Sequence, residues 1–150
     1  MILFLAKQHP HNYSPAWNRQ GFKMASSCRF DAFPPKLPTR TSIADPLEID
    51  AIPCGNGVVG MAPCPGAHGP SVFRVQWERD LVLDLRAVAD WGATALVSLI
   101  GYSEMSRLGV SGLGDAAEKA GLDWHHLPIE DLNAPNQQFA KQWAYSGHVL

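Results

Sequence analysis

Residues 94–100, Thr-Ala-Leu-Val-Ser-Leu-Ile, restrict the fold more than any other stretch of this chain. A near-continuous apolar run of that length has no face to leave in water. It is expected as a strand covered on both sides, the habit of a parallel sheet with helices above and below. Its flanks agree. Over residues 78–91, Leu81, Val82, Leu85, Val88 and Ala89 fall at i, i+1, i+4, i+7 and i+8, one apolar stripe of a helix that Gly92 stops. Gly101 breaks the strand. Short helices are predicted over 103–108 and 113–120, the second ending at Gly121, and a strand over Leu122–Leu127. Pro135 fits the first turn of a last helix, where its missing N–H costs nothing. On that helix Phe139, Trp143 and Leu150 share a face, with Gly147 between turns. Helix, strand, helix, strand, helix is a βαβ rhythm, so the class is α/β with a mainly parallel sheet flanked by helices.

The first half is less regular. Residues 47–62 alternate loosely around Gly55-Asn56-Gly57, a turn signal between two short strands. Cys64-Pro65-Gly66 makes a turn, and residues 67–76 a loop in which Phe73 and Val75 can be extended. Residues 1–42 hold Pro10, Pro15, Pro34, Pro35 and Pro38 and show no periodicity. They are expected to be a poorly ordered extension ahead of a domain over 43–150. The character of the chain changes at Met24-Ala-Ser-Ser, which resembles a natural start, so residues 1–23 read either as an upstream extension or as a genuine flexible tail. The last helix has no C-terminal stop and its apolar face is unfinished at Val149-Leu150, so the domain is expected to lack its C-terminal part.

A length of 150 residues suits one domain, and 46% apolar against 17% charged residues suits a folded one. The formal charge is 12 − 14 = −2, with no basic surplus to recruit nucleic acid or an anionic membrane. Three cysteines, Cys28, Cys54 and Cys64, are too few and too odd for a disulfide scaffold and fit a reducing cytoplasm. No run reaches transmembrane length. A soluble cytoplasmic protein is expected.

Chemistry in open α/β sheets gathers where strands end. After strand 122–127 comes Pro-Ile-Glu-Asp-Leu-Asn-Ala-Pro, with Glu130 and Asp131 between stiffening prolines at 128 and 135. A carboxylic acid held there can give a proton to a leaving group; the plain alternative is a solvated acidic loop. The other candidates read structurally. Cys54, Cys64 and His68 match no zinc spacing and lack an evident fourth ligand. His125 and His126 are neighbours on a strand and point to opposite faces. Gly55-Asn56-Gly57 lacks the Lys-Ser/Thr and following helix of a phosphate loop. Glu78, Arg79, Asp80, Asp84 and Arg86 read as a solvated face, and Trp77, Trp91, Trp124 and Trp143 as core or edge packing.

Several blocks, in order, carry a resemblance over roughly residues 40–150. They are Thr41-Ser42, Pro46-Leu47, Ile49-Asp50, Gly60-Met61, Cys64-Pro65-Gly66, Trp77, Arg79-Asp80-Leu81, Asp84-Leu85, Trp91-Gly92-Ala93 and Glu104. Leu127-Pro128-Ile129, Asp131, Pro135, Phe139 and Trp143 complete them. In these the chain resembles the cysteine-dependent protein-tyrosine and dual-specificity phosphatases, in particular the kinase-associated phosphatase branch. The resemblance implies a phosphatase-like sheet and hydrolysis of a phosphomonoester, on a phosphorylated protein or a small molecule, through a cysteinyl-phosphate. It implies no metal or other cofactor. By motif position Asp131 is the general acid, and Glu130 does not match it.

The departure is large. The family's nucleophile lies in His-Cys, five residues, then Arg, a loop that cradles phosphate and lowers the thiol pKa. Here the residue six after Cys28 is Pro34, after Cys54 Gly60, and after Cys64 Pro70. In the family that signature follows the last helix seen here and one more strand, a central one. Ala67 also stands where relatives often carry a basic residue. The chain is therefore expected to be inactive as given: an incomplete phosphatase domain, with a non-catalytic binding module or the product of a truncated gene as alternatives.

Overall fold

The computed structural model describes the backbone of residues 2–6 and, with side chains, residues 38–71, 74–130 and 133–146. Ile2–Ala6 is strand β1 and Thr39–Thr41 is β2. The Gly-Asn-Gly signal makes its hairpin: β3 (Asp50–Cys54) and β4 (Gly57–Ala62) pair antiparallel across a two-residue turn. Gly55 there takes φ +57°, as the first central position of a type II′ turn demands. Segment 67–76, expected as a loop, instead holds β5 (His68–Pro70) and the start of β6 (Gln76–Glu78). Helix α1 (Leu81–Asp90) leads to β7 (Ala95–Ser98), then come α2 (Tyr102–Arg107), α3 (Leu113–Lys119), β8 (Asp123–His126) and α4 (Gln137–Ser146).

Helix α1 starts at Leu81, the first residue of its apolar stripe and three residues later than the expected 78, because Asp80 caps it. The Asp80 side chain accepts from the Leu83 N–H at 2.9 Å. Gly92, at φ +95°, stops the helix as expected. Pro135 lies outside α4: Asn136 is the cap, its Oδ1 accepting from the Phe139 N–H at 2.9 Å. Leu150 lies beyond the described residues.

Two sheets form. The larger has the order β3-β4-β1-β7-β8 and the smaller β2-β6-β5. The expectation of a mainly parallel sheet is not met. In the larger sheet only β7 and β8 run parallel; β3–β4, β4–β1 and β1–β7 are antiparallel. The parallel pair is the one joined through helices, as such a crossover requires. Ile2–Ala6 also departs from expectation. It belongs to the stretch read as poorly ordered, yet it lies at the sheet centre, paired with β4 from Ile2↔Ala62 to Ala6↔Val58 and with β7 from Ile2↔Ser98 to Leu5↔Ala95. Five apolar residues ahead of the polar Lys7-Gln8 suffice for a strand once a sheet offers two edges.

All four residues of β7 are buried, and the run alternates between two faces. Leu96 and Ile100 join the main core with Leu85 and Val88 of α1 and Leu113 and Ala117 of α3. Val97 and Leu99 face the other way, into a smaller cluster with Leu127, Ile129 and Phe139. Helix α4 covers that second face without burying any residue of its own. Among the described residues no helix is long and apolar enough to cross a membrane.

Candidate functional site

The strand pairing of β7 and β8 does not stop with β8. The Leu127 N–H donates to Ser98 O and the Ile129 N–H to Leu99 O, both at 2.9 Å. The loop expected to carry the acid is thus hung on β7 as far as Ile129. From there Glu130 turns the chain: its carbonyl accepts from the Asn133 N–H and its Oε2 from the Asn133 side-chain amide, each at 3.0 Å. Asp131, the expected general acid, lies between these two residues and outside the described ones.

A cavity of about 530 Å³ opens beneath this loop, at the C-terminal ends of β7 and β8. Pro128, Ile129 and Glu130 line it from the loop, Glu104 and Arg107 from α2, and Phe139 from α4. Among the described residues its ionic lining is two carboxylates and one guanidinium, and Arg107 stands 3.7 Å from Glu104. One cation partly engaged by Glu104, in a lining that also holds Glu130, makes a poor trap for a phosphate dianion. Arg107 was not among the candidates read from the sequence. The readable signal was Glu104 and Arg107 three apart, just after the strand break at Gly101.

Two histidines expected on opposite faces occupy different settings. His126 Nε2 meets Ile100 O at 2.8 Å; a carbonyl only accepts, so that nitrogen carries the proton. The His126 ring stacks on Trp124, at 5.6 Å between centroids, and meets the edge of Tyr102 at 4.4 Å. Trp124 in turn donates to Ser98 Oγ at 2.5 Å. This column pins the end of β8 to β7. His125 Nε2 is buried and has no hydrogen-bond partner.

Among the described residues the cysteines offer no nucleophile of the activated kind. Cys54 is exposed at the hairpin. Cys64 is buried, and its thiol is pushed up from 9.0 to about 12, by burial first and then by the carboxylates of Glu104 and Asp84. That is the reverse of what a nucleophilic thiolate requires. Cys28 lies outside the described residues.

Cys64 belongs to a structural knot. The charges Arg79 and Asp84, read as part of a solvated face, are 3% and 1% exposed. Arg79 precedes the helix cap and so points inward. Its Nε and Nη2 reach Asp84 at 2.7 and 2.9 Å, and its Nη1 donates to Asp45 O at 3.0 Å. Asp84 Oδ2 also accepts from the Gly66 N–H at 2.9 Å. Gly66 has φ +68°, and a Cβ on it would come within 2.6 Å of Leu81 Cβ, so only glycine fits the turn. The guanidiniums of Arg40 and Arg79 both lie over the Trp77 ring, 5.8 and 5.6 Å from its centroid. Three of the blocks that carry the resemblance, Cys64-Pro65-Gly66, Arg79-Asp80 and Asp84, are therefore one buried network.

No protein-family model and no curated protein sequence matches the chain. Among solved structures, it is similar to a crystal structure of kinase associated phosphatase in which serine replaces the catalytic-site cysteine. The TM-score is 0.50 and the identity 21%, over 60% of this chain and 48% of that one. The chain thus spans about half the length of that phosphatase. At this identity the likeness concerns the fold: the mixed α/β body has a distantly phosphatase-like fold.

Proposed function

We propose that this chain is the acid-bearing part of a protein-tyrosine or dual-specificity phosphatase domain, with Asp131 as general acid. In that reaction a thiolate attacks phosphorus. The leaving oxygen takes its proton from Asp131, and water then hydrolyses the cysteinyl-phosphate. The observation that carries the reading is the Glu130–Asn133 turn, hung on β7 through Leu127 and Ile129 over an open cavity. Glu130, the sequence neighbour of Asp131, lines that cavity, and a leaving oxygen departs more easily when it is protonated as it goes. No cysteine of these 150 residues has an arginine six positions on, and Cys64 is held as a neutral buried thiol. Alone, therefore, the chain turns over no phosphomonoester.

The test is hydrolysis of a phenyl phosphate by protein freed of host phosphatases. No turnover above buffer is expected. Turnover that Asp131→Ala abolishes would mean the chain holds its own nucleophile and would overturn the reading. The buried Cys64 favours a second reading, a phosphatase-like module that binds without catalysis. A phosphotyrosine peptide that shifts the amide resonances of Ile129 and Glu130 without being hydrolysed would favour it.

A further inference from the structure

Strand β1 is connected unlike every other strand of the larger sheet. Two turn residues join β3 to β4, and α2 and α3 join β7 to β8. The elements after residue 38 are further tied through the Arg79–Asp84 network and the main core. Only residues 7–37 connect β1 to that body. Chain of that length can extend roughly 100 Å, so its reach alone does not confine β1 to the sheet of its own copy. Yet β1 fills the centre of the sheet, with main-chain partners on both sides, β4 at 58–62 and β7 at 95–98. Without it, β4 and β7 would each present a bare edge inside the sheet, the arrangement that recruits another strand.

We propose that the slot between β4 and β7 is a strand-acceptor site. It takes a short extended apolar segment by main-chain pairing on both edges, and its occupant in trans is the Ile2–Ala6 segment of a second copy of this chain. Specificity comes from the register, in which Phe4 stands opposite Gly60 on one side and Leu96 on the other. Within one copy the connecting chain holds β1 at roughly millimolar effective concentration, so exchange stays rare in dilute protein. It becomes visible when the connection is cut or the protein is concentrated. This inference stands apart from any catalytic reading, because it concerns only pairing.

The test uses the full chain with a protease site placed among residues 18–23, and a fluorescent peptide of residues 1–8 as the probe. After cleavage, the peptide at ~10 µM is expected to enter the cut protein in a one-to-one ratio, seen as a rise in anisotropy. The uncut chain should take up roughly a hundredth as much, given its internal competitor. A peptide carrying Phe4→Pro, which lacks one N–H for the ladder, should not enter. Failure of the cut chain to take up the peptide would overturn the proposal. So would equal uptake of the proline peptide, or loss of residues 1–17 after cleavage with no change in the unfolding midpoint.

Discussion

Arg79 grips Asp84 through two hydrogen bonds, 2.7 and 2.9 Å long, with both side chains almost wholly withdrawn from water. The pair joins three parts of the chain: Asp45 through its carbonyl, the Cys64-Pro65-Gly66 turn through the Gly66 N–H, and α1 through Asp84 itself. A buried ion pair is not by itself a large net gain, since both ions are desolvated. Breaking one side is another matter.

Asp84→Ala should therefore cost about 3–5 kcal/mol, because it strands the Arg79 guanidinium without its partner and frees the Gly66 N–H. Replacing both residues with apolar ones, as in Arg79→Met with Asp84→Leu, should recover much of that loss. Urea unfolding of the three proteins checks both statements. If the double variant proves as unstable as Asp84→Ala, the loss lies in the Gly66 and Asp45 contacts rather than in an uncompensated charge.

The Cys64 thiol ties stability to alkaline pH. In the unfolded chain it ionises near 9.0, and in the folded protein near 12, because burial disfavours the thiolate. Between those values the folded state holds a proton that the unfolded state has lost. Stability is therefore whole below pH 9 and falls as pH rises toward 12, by about 1.4 kcal/mol per unit in the steep part. Cys64→Ala should flatten that part of the curve, and the difference between the two proteins is the quantity to measure. Parallel curves would mean that the thiol is solvated in the folded protein.

What the sequence revealed was mostly local. Gly55-Asn56 names its own hairpin, Gly92 its helix end, and the run at 94–100 its burial, because each signal acts over a few residues. Pairing partners are another kind of information. Nothing in Ile2–Ala6 says that it will lie between β4 and β7, nor that three of the four pairings in the larger sheet will be antiparallel. Arg79 and Asp84 misled because charge usually marks solvent, and only the positions of the Gly66 N–H and the Asp45 carbonyl reveal why these two are inside. At the site, strand end and loop were legible, and so was Glu130 beside the expected acid. The role of Asp131 rests on resemblance, since an acidic loop alone does not distinguish a donor from a solvated carboxylate. Arg107 left only its spacing from Glu104 as a signal, because the cavity it shares with that loop is a tertiary feature.

Asn136 gives α4 its start, and α4 has little else to hold it, since none of its residues is buried. Asn136→Ala should weaken the helix by about 1 kcal/mol. Because packing contributes little, the loss should appear locally: amide exchange should quicken over residues 137–146 while the exchange of β7 stays unchanged. If exchange in β7 rises equally, α4 unfolds only with the whole body.

Gly114 opposes two effects of known size. It lies inside α3, where alanine is favoured over glycine by about 1 kcal/mol. A Cβ there, however, would come within 2.5 Å of the Trp124 ring at Cε3 and Cζ3. That ring cannot swing aside freely, because it donates to Ser98 and stacks on His126. Forcing a methyl into such a contact costs about 1–3 kcal/mol, so Gly114→Ala should destabilise on balance. A smaller side chain without a ring should relieve the clash, so in a Trp124→Leu background Gly114→Ala should be neutral or stabilising. The four proteins form a cycle whose coupling is read from denaturant midpoints. A coupling near zero would mean that α3 does not rest on Trp124.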